Sequence, residues 1–324
     1  MLARLLAAYR RTGADPPFGD PMRAHGVGME GYYWRLTDDA AGRVVVAICG
    51  VARADDGPWA MVILAAHPGA FVRVATTRTA WADPLGLGVR AERALVADAG
   101  RLRVDLGADA WVDVALGERR EWPRRAFGAL GVAQAVPGLH QYWHPHLLGG
   151  RAVGRARLGG EEVALDAAAY GEKNWGAAFS DHWWWGQAFP DADACVAFAG
   201  GRIRVGPVGA APTAVVVRVG SEHVRLGPPA ARMATAATDG AWRVRGRSPR
   251  FSVLLEGDAD DSTAAALPVP LPAERALEPR SRQVLAGRLA VTLWRGRRVL
   301  YRGESALAGL EHGTMRPGRG EPRS

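Results

Sequence analysis

Apolar and polar residues alternate with period two along most of this chain, and Gly, Pro and Asp-rich turns break the runs, which is the pattern of antiparallel strands joined by hairpins. Arg43 to Ala52 turns through Asp55-Asp56-Gly57 into Trp59 to Ala66, and Cys195 to Ala199 turns at Gly200-Gly201 into Arg202 to Val205. Thr213 to Val219 turns at Gly220-Ser221 into His223 to Leu226, Trp242 to Gly246 precedes Phe251 to Leu255, and Leu289 to Trp294 turns through Arg295-Gly296-Arg297 into Val299 to Tyr301. Helical spacing is confined to Met1 to Arg11 (Leu2, Leu5, Leu6, Tyr9), with a further turn of helix expected near Pro123 to Leu130. The expected class is all-β. So many short strands in 324 residues exceed one small barrel, so two antiparallel β-barrels or sandwiches are expected. The expected layout is an N-terminal helical extension over 1–20, a first β domain over 21–150, a second over 151–312 and a disordered tail over 313–324. The seam falls near Leu148-Gly149-Gly150, and Asp258 to Pro279 reads as a long loop within the second domain.

Composition sharpens this picture at one point. The chain has one lysine, Lys173, and one asparagine, Asn174, and they are adjacent within Tyr170-Gly171-Glu172-Lys173-Asn174-Trp175-Gly176. Random placement would make them neighbours in roughly one chain of this length in 160. The other 40 basic residues are Arg, so retention of both depleted types side by side points to a chemical reason, Lys and Arg differing in donor geometry and in how readily the pKa moves. The net charge of +8 is spread along the whole chain, which fits weak attraction to an anionic membrane surface better than a phosphate-tracking groove, and no nucleic-acid partner is expected. Met1 to Arg11 is too short and too charged for a signal peptide or membrane span, so a cytoplasmic protein, with peripheral contact at the inner membrane face, is the expectation. Cys49 and Cys195 lie at no disulfide or metal spacing and read as buried small hydrophobes.

Several motifs fail their own requirements. Gly26-Val27-Gly28-Met29-Glu30-Gly31 contains a literal GxGxxG, but Tyr32-Tyr33-Trp34-Arg35-Leu36 after it is strand material, not the helix a dinucleotide needs. Ser180-Asp181-His182 cannot converge as a triad. His144 and His146 have Pro145 between them and no acidic third ligand nearby, so no metal is expected. Strand alternation puts Glu30, Tyr32 and Trp34 on one face of their strand. It also puts Tyr170, Glu172 and Asn174 on one face of theirs, with Lys173 and Trp175 on the other. Trp183-Trp184-Trp185-Gly186-Gln187 brings a quarter of the chain's 12 tryptophans close to the motif, suited either to core packing at the seam or to an aromatic wall for an apolar, cation-forming ligand.

The string YGEKNWGAAFSDHWWWGQ resembles the tocopherol cyclase family, as does MEGYYWRL and, more loosely, Glu304 to Glu311 at the end. Ser180 departs from the Pro common in that family after the Phe. The resemblance implies two lipocalin-like β domains and cofactor-independent chemistry on a prenylated quinol: an acid protonates the prenyl double bond and the phenolic oxygen closes a chroman ring. An acid in an apolar aromatic cavity has a raised pKa and stays protonated near neutrality. On this reading Glu172 is the proton donor, Asn174 and Gln187 bind the substrate oxygens, and Lys173 holds the developing phenolate or pairs with Glu30. Trp175, Trp183 and Trp185 line the prenyl pocket, joined by Tyr32, Trp34, Tyr142, His144 and Tyr170. The alternatives are a lipid carrier of the same architecture, a hydratase in which water captures the cation, and an interaction module built on exposed tryptophans.

Overall fold

The computed structural model describes residues 1–123, 127–205 and 208–315. The expected all-β class holds. Two large antiparallel sheets, each curled into a half-barrel or near-barrel, follow one short helix, Leu2–Arg10. None of the described helices is long and apolar enough to cross a membrane. The expected helical turn near Pro123 to Leu130 lies partly outside the described residues; beyond it Gly131–Ala135 forms a 3-10 helix. Of the expected tail, residues up to Thr314 belong to a strand, and 316–324 lie outside the described residues.

The two sheets repeat one plan. In the first, the opening strand Met29–Asp38 pairs with Arg43–Ala54 on one side and with the closing strand Glu162–Gly176 on the other. In the second, the opening strand His182–Asp191 pairs with Ala194–Val205 and with the closing strand Arg298–Thr314. Opening and closing strands are therefore central neighbours in both sheets.

The change of sheet comes between Gly176 and His182, later than the expected seam. Gly149-Gly150 lies inside the strand Gln141–Leu158, where the register with Glu162–Gly176 shifts between Leu148 and Arg151. Gly149 has a φ of +140°, and a Cβ there would stand 3.1 Å from Arg218 Nη2, so the glycine serves a bulge that a buried arginine approaches, not a linker. The expected loop over Asp258 to Pro279 is largely ordered as well: Ala265–Leu271 pairs with the start of Ala276–Arg295. This hairpin reaches the first sheet, where Trp59 Nε1 donates to Pro272 O at 3.0 Å and Arg275 pairs with Asp56.

Three apolar clusters hold the molecule. One fills the first curled sheet (Tyr32, Trp34, Leu36), one fills the second (Phe198, Val215, Leu310), and the third lies between them (Tyr33, Trp143, Trp185). Tyr32 and Tyr33 thus serve different cores from adjacent positions, because the central strands are buried on both faces. Two buried arginines cross this interface. Arg35 Nη2 donates to Leu285 O and Leu307 O, each at 2.6 Å, and Arg218 Nε donates to Leu148 O at 2.6 Å. Each sheet sends one guanidinium into carbonyls of the other, which satisfies buried acceptors that apolar packing would leave orphaned.

Candidate functional site

Between the sheets lies a cavity of about 600 Å³, within the size range of small-molecule sites. Its apolar walls include Met29, Ile48, Met61, Leu130, Leu267 and Val269. Two acids open onto it, one from the closing strand of each sheet: Glu172 and Glu311.

Glu172 is buried, and its Oε2 accepts three hydrogen bonds, from Trp143 Nε1 (2.8 Å), Trp185 Nε1 (2.8 Å) and Tyr170 Oη (2.5 Å). Burial pushes its pKa up and the three donors restrain the rise, leaving it at about 7; the Glu311 charge adds to the increase. With three donors on Oε2, Oε1 is the oxygen left to carry an acid proton.

Glu311 accepts on both oxygens: Trp183 Nε1 donates to Oε1 at 2.7 Å and Gln283 Nε2 to Oε2 at 3.0 Å. Burial raises its pKa too, opposed by the Trp183 N–H. The same Gln283 amide donates to Tyr33 Oη at 3.3 Å, and the Tyr33 ring packs on Trp185 with centroids 5.0 Å apart. Asn174 lines the same wall, and its Oδ1 is buried without a partner.

Across the strand from Glu172, Lys173 faces away from the cavity. Its ammonium lies 2.8 Å from Glu30 Oε2, donates to Arg23 O at 2.7 Å and to His25 Nδ1 at 3.2 Å, and sits over the rings of Tyr32 and Trp175. Burial lowers its pKa, while Glu30 acts to raise it. Burial acts to raise the Glu30 pKa, but the Lys173 ammonium and the Gly26 N–H outweigh it and bring Glu30 to about 2. The backbone N–H groups of His25 and Gly26 donate to the Glu30 carboxylate, so the glycine-rich turn cradles a side chain of its own chain. His25 is held neutral by burial and by the cations beside it. As Nδ1 accepts from Lys173, Nε2 carries the hydrogen and donates to Asp15 Oδ2 at 3.0 Å. Arg10 Nη1 closes the network on Asp15 Oδ1 at 2.6 Å. The network fastens the N-terminal segment to the first sheet.

The expected site residues therefore divide. Glu172, Asn174, Trp183 and Trp185 share the cavity, and Tyr170 touches it through Glu172. Of the two roles expected for Lys173, pairing with Glu30 is observed; alternation turns the ammonium to the face of the sheet away from the cavity, whereas the phenolate role would have required it inside. Trp175 lies on that face, its Nε1 donating to Gly13 O at 2.7 Å; Tyr142 borders the cavity as expected, while its ring stacks on Trp175 and its hydroxyl donates to Val136 O at 2.6 Å. Tyr32 borders the cavity but directs its ring toward the core of the first sheet, stacked on the buried Trp34. His144 is buried against Trp122, its pKa lowered to about 3 by desolvation. Gln187 is fully buried beside Cys195 and outside the cavity wall. The sequence reading missed Trp143, Tyr33, Gln283 and Glu311. The signal for Trp143 and Tyr33 was present, since each is the neighbour of a chosen residue on the opposite strand face.

Against known proteins, the family model described as tocopherol cyclase-like matches residues 121–314, more than half of the chain. The chain is 27% identical over 189 residues to "Tocopherol cyclase, chloroplastic" of Zea mays, covering 55% of this chain and 39% of that protein. It spans about two fifths of the length of the curated relatives it matches, 42% and 39%. Among solved structures it is similar to CghA with Sch210972 (TM-score 0.60, 12% identity, 88% of each chain) and to kievitone hydratase from Nectria haematococca (TM-score 0.51, 11% identity, 89% of each chain). At these identities the structural likeness is one of fold.

Proposed function

We propose a function for this chain from one premise: it belongs to the tocopherol cyclase-like family, whose model matches residues 121–314. The function is a cyclase that closes an oxygen ring on a prenylated hydroquinone or related isoprenoid phenol, with Glu172 as the acid. The observation that carries this is a carboxyl buried in an apolar cavity, with three donors on one oxygen and a pKa of about 7.

The proton on Oε1 adds to one carbon of the prenyl double bond, whose π electrons form the new C–H bond. A tertiary cation remains on the other carbon and a carboxylate on Glu172. The N–H groups of Trp143 and Trp185 and the Tyr170 hydroxyl stabilise that carboxylate, and the ring faces around the cavity stabilise the cation. The phenolic oxygen then closes the C–O bond and loses its proton, so substrate and product are isomers.

A carrier would gain nothing from two buried acids, whose desolvation costs several kcal/mol unless well paired. A hydratase would differ only in the nucleophile, and the fold shared with kievitone hydratase supports it as the second reading. Incubation with prenylated hydroquinones in deuterated buffer separates these readings. An isomeric product with one deuterium on carbon supports the cyclase, a gain of one water the hydratase, and recovery of unchanged lipid contradicts both.

A further inference from the structure

We infer that Glu311 is the base that takes the phenolic proton, so that the cavity holds an acid from one sheet and a base from the other. The inference rests on the cyclase reading and completes its proton balance.

The first ground is position. Glu311 and Glu172 lie near the ends of the closing strands of two sheets built on one plan, paired in register with Trp185 and Tyr33 of the respective opening strands. Both line the same cavity.

The second ground is hydrogen bonding. Glu172 receives its donors on Oε2 alone, the pattern of a carboxylic acid with its proton on the other oxygen. Glu311 receives one donor on each oxygen, from Trp183 and Gln283, the pattern of a carboxylate that is acceptor at both ends. Even with the Ser281 hydroxyl close by, Trp183 and Gln283 leave at least one further lone-pair direction on the carboxylate for a substrate hydroxyl. Burial raises the pKa of both carboxyls, so it is this difference in donor geometry, one oxygen against two, that divides them into acid and base.

As the phenolic oxygen attacks the cation, its O–H bond breaks and the proton moves to Glu311, while the O–H electron pair stays on oxygen. The cycle leaves Glu311 protonated and Glu172 ionised. Glu311 gives up its proton and Glu172 takes one from solvent on product release, which restores the start, and no external oxidant or reductant enters.

Two measurements test the assignment. The first compares turnover of hydroquinones of graded phenol acidity by wild type, Glu311→Gln and Glu172→Gln. The expected result for Glu311→Gln is a kcat loss of about 10²-fold or more that shrinks as the phenol becomes more acidic. For Glu172→Gln the loss is independent of phenol acidity. Full kcat in Glu311→Gln with loss in Glu172→Gln overturns the base while sparing the acid; full kcat in Glu172→Gln overturns the cyclase reading itself. The second needs no turnover: the affinities of a prenylated hydroquinone and its O-methyl ether for Glu172→Gln are read by tryptophan fluorescence. Preference for the free phenol, abolished by adding Glu311→Gln, supports the inference. Equal affinity for the two ligands, or binding of neither, overturns it.

Discussion

Lys173 Nζ stands 2.8 Å from Glu30 Oε2 at a point where neither side chain meets solvent, and the two belong to neighbouring strands of the first sheet. This ion pair, on the face turned away from the cavity, gives the chain's single lysine a structural task. Replacing Lys173 with Met leaves Glu30 buried without its cation, with the Asp15 carboxylate also deprived of a nearby positive charge. A loss of about 3–5 kcal/mol in urea unfolding is expected, and the double variant with Glu30→Gln should recover part of it. A loss under about 1 kcal/mol would show that the pair is not buried as described.

Glu172 should make stability depend on pH in a definite direction. Its folded pKa, about 7, lies above the ordinary 4.5, so the folded state binds this proton more tightly than the unfolded state does. That contribution is complete below pH 4.5, declines as the pH rises through 7 and is gone above it. The span corresponds to about 3 kcal/mol. Glu172→Gln, which imitates the protonated acid, should match wild type near pH 4.5 and exceed it by about that amount at pH 8 in urea unfolding. A constant difference across this range would contradict the raised pKa.

Trp185→Phe removes one of the three donors on Glu172 Oε2 and keeps most of the ring. With less stabilisation of the carboxylate, the acid form persists to higher pH. The alkaline limb of the kcat profile should therefore move up, and an unmoved limb would show that the indole N–H does not tune the acid.

Gly313 gives Trp183 its seat. A Cβ at position 313 would fall 1.9 Å from the indole, and Trp183 is the donor to Glu311 Oε1. Gly313→Ala should cost about 1–3 kcal/mol through forced repacking and alter the tryptophan fluorescence. If Glu311 depends on that indole, cyclisation should fall with it.

The class of fold was legible because alternation and turn residues are local properties, and the two faces of the 170–176 strand followed from the same period. Which face meets the second sheet was not legible, since Met29–Asp38 and the 169–176 half of Glu162–Gly176 are buried on both sides and the period fixes only their relative phase. Hence Trp143 and Tyr33 passed unnoticed beside Tyr142 and Tyr32. Glu311 reaches the cavity only because Arg298–Thr314 pairs with the tryptophan strand His182–Asp191, a long-range contact that no local pattern records. Gly149-Gly150 read as a seam because a glycine pair signals a break in the chain direction; here it permits a bulge that Arg218 approaches from the other sheet.

The most direct test of the account is the kcat of wild type, Glu172→Gln and Glu172→Asp on a prenylated hydroquinone, with product mass followed between pH 5 and 9. If Glu172 delivers the proton, wild-type turnover to an isomeric product falls as the pH rises through about 7. Glu172→Gln then loses about 10²-fold or more, and Glu172→Asp keeps a fraction. Turnover by Glu172→Gln at the wild-type rate, with the same pH profile, would contradict it.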